Sequence, residues 1–227
     1  MRITKIMLVN LIILFIGVTA KSQVNIGAKT SALFSTVNVK GINTDFVNKG
    51  TYAGFDVSIF GSIPVTEEFS FQPEISYNRK GFTVGQGVDL NIFNFDLPLG
   101  VAAVTQIDYV QVPLLGRYEI ANQKAGVYFL AGPSVALATK GRLRTKIDSI
   151  IDINLTNTEL DINNDNYNRL EFAGVLGTGA FVNLGGAKAF AEVKYHHGFS
   201  DLLADPILDV RLKNRAVGIG AGLQVAF

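Results

Sequence analysis

Two adjacent histidines are the first place where this sequence offers chemistry. In HHGFSDL, His196 and His197 stand four and three residues before Ser200, with Asp201 beside it. An imidazole base, a hydroxyl nucleophile and a carboxylate are the parts of a hydrolytic relay. A relay needs its members on one side of the chain. The preceding segment alternates as a strand, in which successive side chains point to opposite faces. His196 then shares a face with Glu192, His197 takes the opposite face, and Ser200 falls at the strand's rim. The pair reads as one interior and one interfacial histidine, and no catalytic residue is assigned.

Two loops carry other polar clusters. DINNDN places oxygen ligands at Asp161, Asn163 and Asp165, as a calcium loop does, but Asn166 stands where that loop needs Gly and Phe172 where it needs Glu. It reads as a solvated polar loop, so no metal or cofactor is expected. KGRLRTK sets Lys140, Arg142, Arg144 and Lys146 on one face of an extended chain. Such a row suits the phosphates of anionic lipopolysaccharide, or a solubilising face on strands that continue past a bilayer. VDLNIFNFDLPLGVAAV, residues 88–104, is apolar for a loop. Its Ile92, Phe93 and Phe95 form a candidate partner patch; the alternatives are a seal over the molecule's own mouth or an extension of the strands.

The elements that hold these residues are strands. AVGIGAGLQVAF, residues 216–227, has an apolar residue at every odd position and small or polar groups between them. Seven more period-two segments fall at about 24–35, 51–60, 68–80, 107–119, 124–138, 169–183 and 187–198. Lys29, Asp56, Glu74, Arg117, Glu171, Glu192 and Lys194 all take the polar faces. These polar faces are otherwise rich in Gly, Ala and Ser. A water-facing exterior should carry ~25–35% charged residues, whereas small residues suit a crowded barrel interior. Lipid therefore lies against the apolar faces, and the seven charges form a network in a filled lumen. Eight strands leave an interior just wide enough for side chains.

Export is expected from the N-terminus. Arg2 and Lys5 precede the apolar run Ile6–Val18, which is short for a membrane helix, and cleavage after Ser22 leaves residues 23–227 as one barrel domain. From 20 basic and 19 acidic residues, loss of Arg2, Lys5 and Lys21 brings the mature chain to about −2, with no basic stripe for nucleic acid. There is no Cys, which removes disulfide and thiolate-metal chemistry.

Connections after odd strands are long and those after even strands short. Bacterial outer-membrane barrels have this asymmetry, with short turns in the periplasm. Pro73, Pro113 and Pro133 fall within the strands, where each removes a ladder donor. Bulges or local breaks are expected there.

FSFQPEISYNRKGF, YVQVPLLGRYEI, FLAGPSVAL and AEVKYHHGFSDL together resemble the PorT-like outer-membrane β-barrel family of Bacteroidetes, over nearly the whole mature chain. The resemblance implies an all-β, eight-stranded antiparallel transmembrane barrel. It also implies that Phe227 is a terminal signal read by the barrel-assembly machinery. Three functional expectations follow. The first is a non-enzymatic structural or interaction module working through its extracellular loops. The second is an accessory part of a secretion or surface-assembly machine, as for the founding member of that family. The third is a lipid-modifying enzyme using His196 or His197 with Ser200. Expected partners are outer-membrane lipid, lipopolysaccharide, the assembly machinery and an envelope protein.

Overall fold

The computed structural model describes residues 24–40, 48–92, 95–148, 153–160, 168–201 and 211–226. The expected signal segment, Phe93, the DINNDN cluster from Asp161 to Asn166, and Phe227 lie outside them. The described residues form β1 (Asn25–Lys40), β2 (Asn48–Pro64), β3 (Phe69–Ile92), β4 (Phe95–Ala121), β5 (Ala125–Asp148), β6 (Ile153–Leu160), β7 (Leu170–Asn183), β8 (Ala187–Gly198) and β9 (Arg211–Ala226). Every ladder is antiparallel. β1 pairs with β9 from Asn25↔Ala226 to Lys40↔Arg211, and β4 pairs with β5, so the wall closes on itself. Both β6 and β7 pair with β5, at different heights, so the closed wall has eight strands, with β6 above β7. Closure pairs both edges of each strand within the eight-stranded wall, as a hydrocarbon environment requires. Beyond it, among the described residues, β6 and the end of β3 keep a single partner.

The burial is inside out. On β3, Glu74 is 2% exposed and Ile75 56%; on β9, Ile219 is 55% exposed and Leu223 57%, while Arg117 of β4 is only 1% exposed. Polar side chains fill the interior and apolar ones coat the outside, which is stable only with lipid around the wall. The interior is crowded enough to demand glycine. A Cβ at Gly222 would sit 2.6 Å from the Phe190 ring, and one at Gly179 would sit 2.4 Å from Tyr128.

Two of the connections expected to be loops are mostly strand. The β3–β4 ladder runs in one register from Lys80↔Ile107 to Ile92↔Phe95, so the described residues of the expected loop over 81–106 are two paired strands. Likewise β5 continues to Asp148 and takes β6 as its partner over Gly141–Ile147. Alternation and β-branched residues persist through both segments, and cross-strand pairing extends wherever a neighbour is present. A membrane crossing needs ~9–11 residues per strand; β3 has 24 and β4 has 27, so both project well past the bilayer.

The other ends are tight. Thr66 Oγ1 accepts from the Glu68 and Phe69 amides in the β2–β3 turn, and Asn122 Oδ1 accepts from Lys124 and Ala125 in the β4–β5 turn. Gly185 and Gly186, with φ of 78° and 151°, make the β7–β8 turn that a Cβ would strain.

The prolines produce gaps rather than bulges. β3–β4 partners stop at Pro73↔Leu114 and resume in unchanged register at Ser76↔Gln111. β4–β5 partners stop at Pro113↔Ser134 and resume at Gly116↔Ala131, again unshifted. Pro133 keeps its place opposite Gly174. The register shifts among the described residues occur elsewhere, in β2 between Thr51 and Asp56, in β5 at Thr139, and on the β5–β6 ladder between Thr145 and Lys146.

Candidate functional site

At mid-barrel, three strands turn four charges inward: Lys29 from β1, Glu74 from β3, and Glu192 and Lys194 from β8. Lys29 Nζ of β1 lies 2.7 Å from Glu74 and 2.8 Å from Glu192. Lys194 Nζ of β8 lies 2.7 Å from Glu74 and 3.4 Å from Glu192. The result is an alternating square of two cations and two anions, each corner touching both opposite charges. Gln72 Nε2 donates to Glu74 at 2.7 Å and Tyr128 Oη to Glu192 at 3.0 Å. Burial of a charge is costly unless it is paired and hydrogen-bonded, and this arrangement supplies both.

Below the square, towards the short turns, the Arg117 guanidinium stacks 3.9 Å from the Tyr128 ring centroid. It donates to Gln72 and Gln224 and meets Glu119 at 2.9 Å, and Glu119 also receives Lys188 at 2.7 Å. Above the square, Asn78 donates to Gln111 at 2.8 Å, Gln111 donates to Ser134 at 3.0 Å, and His196 Nδ1 lies 3.4 Å from Gln111. Higher still, Lys80 reaches Glu171 at 2.7 Å, and Asn214 donates to the same carboxylate. Asp56 accepts from Ser58 Oγ rather than taking a corner of the square. A void of about 10 Å³ remains beside Asp56, Glu74 and His196, the room of about one water. At this level the lumen is filled, and the two lysines and two glutamates of the square neutralise one another.

The histidines are divided by the strand. His196 is buried in the lumen, whereas His197 is on the outer side, its Nδ1 3.1 Å from Tyr195 Oη and its ring 5.4 Å from that of Phe199. Ser200 Oγ accepts the Phe172 amide at 2.9 Å. The geometry does not assemble these residues into a relay.

A second polar zone encircles part of the outside, where the apolar coat ends. Arg79, Asp108 and Lys140 are direct cross-strand neighbours on β3, β4 and β5. Arg79 clamps Asp108 through two contacts of 2.6 and 3.1 Å and lies 5.4 Å from the Phe55 ring centroid. The bulge at Thr139 decides which way the basic row points. Before it Ala136 and Ala138 are buried; after it Lys140 is exposed, Gly141 buried, and Arg142 and Arg144 half-buried. Without the extra residue the even-numbered line would continue into the lumen. Lys146 extends the row at the backbone, paired with Ala102. Ile92 and Phe95 pair at the far end of the β3–β4 hairpin.

Sequence reasoning passed over Lys80, Asn78 and Gln72, although each has the parity of Glu74 on β3. It also passed over Gln111 and Tyr128, which share the interior lines of Arg117 and Ser134. Parity was the available signal in each case. The Arg79–Asp108 clamp had a different signal, since both residues have apolar-face parity at strand positions where that face runs out.

A family model for the outer membrane protein beta-barrel domain matches residues 19–204. The chain belongs to this family. Its location is therefore the outer membrane, in keeping with the apolar exterior. No curated protein matches the sequence. Among solved structures, Ail, the attachment invasion locus protein of Yersinia pestis, is similar at 17% identity with a TM-score of 0.40, covering 89% of this chain and 99% of that one. OprG from Pseudomonas aeruginosa is similar at 12% identity and a TM-score of 0.49, over 91% and 97%. The outer membrane protease OmpT from Escherichia coli is similar at 8% identity and a TM-score of 0.45, over 92% and 99%.

Proposed function

We propose that this outer-membrane barrel is a non-enzymatic anchor that presents a partner-binding hairpin to the cell exterior. One observation supports the reading above others. The β3–β4 ladder runs without a register shift from the rim pair Arg79↔Asp108 to Ile92↔Phe95. Thirteen residues at ~3.3 Å each give the ladder about 40 Å of length from the rim pair to Ile92↔Phe95. A contact surface made by Ile92, Phe95 and, between them in the chain, Phe93 would then lie far from the barrel's own mouth and be free to meet another envelope component. Burial of each would contribute ~1.5–3 kcal/mol before ordering costs. The filled lumen argues against a diffusion pore, and the divided histidines argue against hydrolysis.

In this reading residues 1–22 are a cleaved export signal and Phe227 is the mark read by the assembly machinery. Lys140, Arg142, Arg144 and Lys146 meet lipopolysaccharide phosphates where the wall leaves the membrane. The resemblance to the PorT-like proteins of Bacteroidetes gives the partner a class, a secretion or surface-assembly component. Changing Phe93 and Phe95 together to Ser tests the proposal by crosslinking in native membranes. Loss of a crosslinked partner with unchanged barrel unfolding is the expected outcome. Intact crosslinking with protease-sensitive hairpins would refute it, because the aromatics would then serve the protein's own packing.

A further inference from the structure

The lipid-facing coat has a dent in its periplasmic half. Ile26, Ile59, Gly61, Pro73, Ile75 and Val112 surround a groove of about 480 Å³, backed by Phe60. That volume lies within the ~300–1,000 Å³ of small-molecule sites. Its origin can be traced to the chain. β2–β3 partners stop at Phe60↔Glu74 and resume in the same register at Ile63↔Phe71, which sets Gly61 across from Pro73. An outward position without a side chain thus faces one whose ring lies close to the backbone. On the next ladder the partners are missing between Pro73↔Leu114 and Ser76↔Gln111. A Cβ at Gly61 would meet nothing within 4 Å, so the space beside it is open.

The groove is continuous with the apolar exterior, and its exposed walls are aliphatic: Ile59 is 59% and Ile75 56% exposed. Gly61 lies three residues before the periplasmic end of β2 at Pro64, which puts the groove in the inner leaflet rather than at the lipopolysaccharide level. We infer that this groove is a seat for one acyl chain of a periplasmic-leaflet glycerophospholipid, held longer than the lipid around the rest of the wall. A second apolar groove of about 540 Å³ lies between Phe69, Tyr118, Phe129 and Leu176, but there the Phe69 ring covers the outward Gly116, whereas beside Gly61 the space is left open for a chain.

Native mass spectrometry of the barrel extracted from membranes in mild detergent tests the seat. The wild type should retain one phospholipid per barrel, and Gly61→Phe, which fills the open space, should lower that occupancy at least fivefold with unchanged heat-modifiability on gels. Retention of lipid A alone, of no lipid, or of phospholipid equally in both barrels would overturn the inference. A second measurement stands even if Gly61→Phe folds poorly. The chain has no Cys, so Gly61→Cys and, as a control on the open coat, Val127→Cys each accept a single bimane label. Acyl-brominated phospholipid should quench the label at Gly61→Cys half-maximally at a several-fold lower mole fraction. Equal quenching curves would refute a preferred seat.

Discussion

Glu74 and Ile75 are consecutive in the chain and live in opposite solvents. The carboxylate is enclosed by Lys29, Lys194 and Gln72, while the isoleucine is left open to lipid. The difference shows what each face of this wall requires. The inner face is a set of specific geometric matches, in which every charge depends on named partners. The outer face is a solvent requirement, met by any apolar side chain of reasonable size and violated mainly by a charge.

The inner face should be the more sensitive to a single substitution. Glu74→Ala strands two buried ammonium groups with only Glu192 between them and should cost about 3–5 kcal/mol in reversible denaturant unfolding of the refolded barrel. A loss under 1 kcal/mol would mean that water enters the lumen and solvates the lysines. From outside, Ile219→Arg puts a charge into the lipid-facing line of β9 and should cost about 2–4 kcal/mol, by the depth scale for barrel walls. If it is neutral, residue 219 does not sit at mid-bilayer depth.

A smaller effect tests crowding. Gly179→Ala adds a single methyl against Tyr128 and should cost about 1–3 kcal/mol through overpacking, whereas Ala180→Gly, on the exposed neighbour, has no such clash to relieve. The smallest effect is expected at the rim. Asp108→Asn removes the charge of a nearly covered carboxylate but leaves a partly exposed Arg79 that water can solvate, and should cost about 1 kcal/mol. Its effect should shrink further as salt is raised. A loss as large as that of Glu74→Ala would place the rim pair in an environment as dry as the lumen.

Much of this was legible in the sequence because a barrel wall is a period-two object. Alternation in AVGIGAGLQVAF told which residues meet lipid, and the same parity put Lys29, Glu74, Glu192 and Lys194 indoors. Small residues on the inner lines announced a narrow lumen, and the structure gives the reason in the approach of Gly222 to Phe190 and Gly179 to Tyr128. The extent of β3 and β4 was less legible. Residues 81–106 carry a strand-like composition, but nothing local says whether a partner is at hand to pair with them.

What the sequence by itself determined is therefore the face of each residue along a regular strand, since one side chain's direction fixes the next. What only the tertiary structure decided is which residues meet across the lumen and where the alternation breaks. The ion-pair square joins residues 45 and 120 positions apart, a consequence of closing the sheet rather than of any local pattern. The bulge at Thr139 is the sharper case. One unpaired residue, invisible to a count of polar and apolar positions, turns Lys140, Arg142 and Arg144 from the line of the lumen to the outside of the wall, because every side chain after an inserted residue changes face.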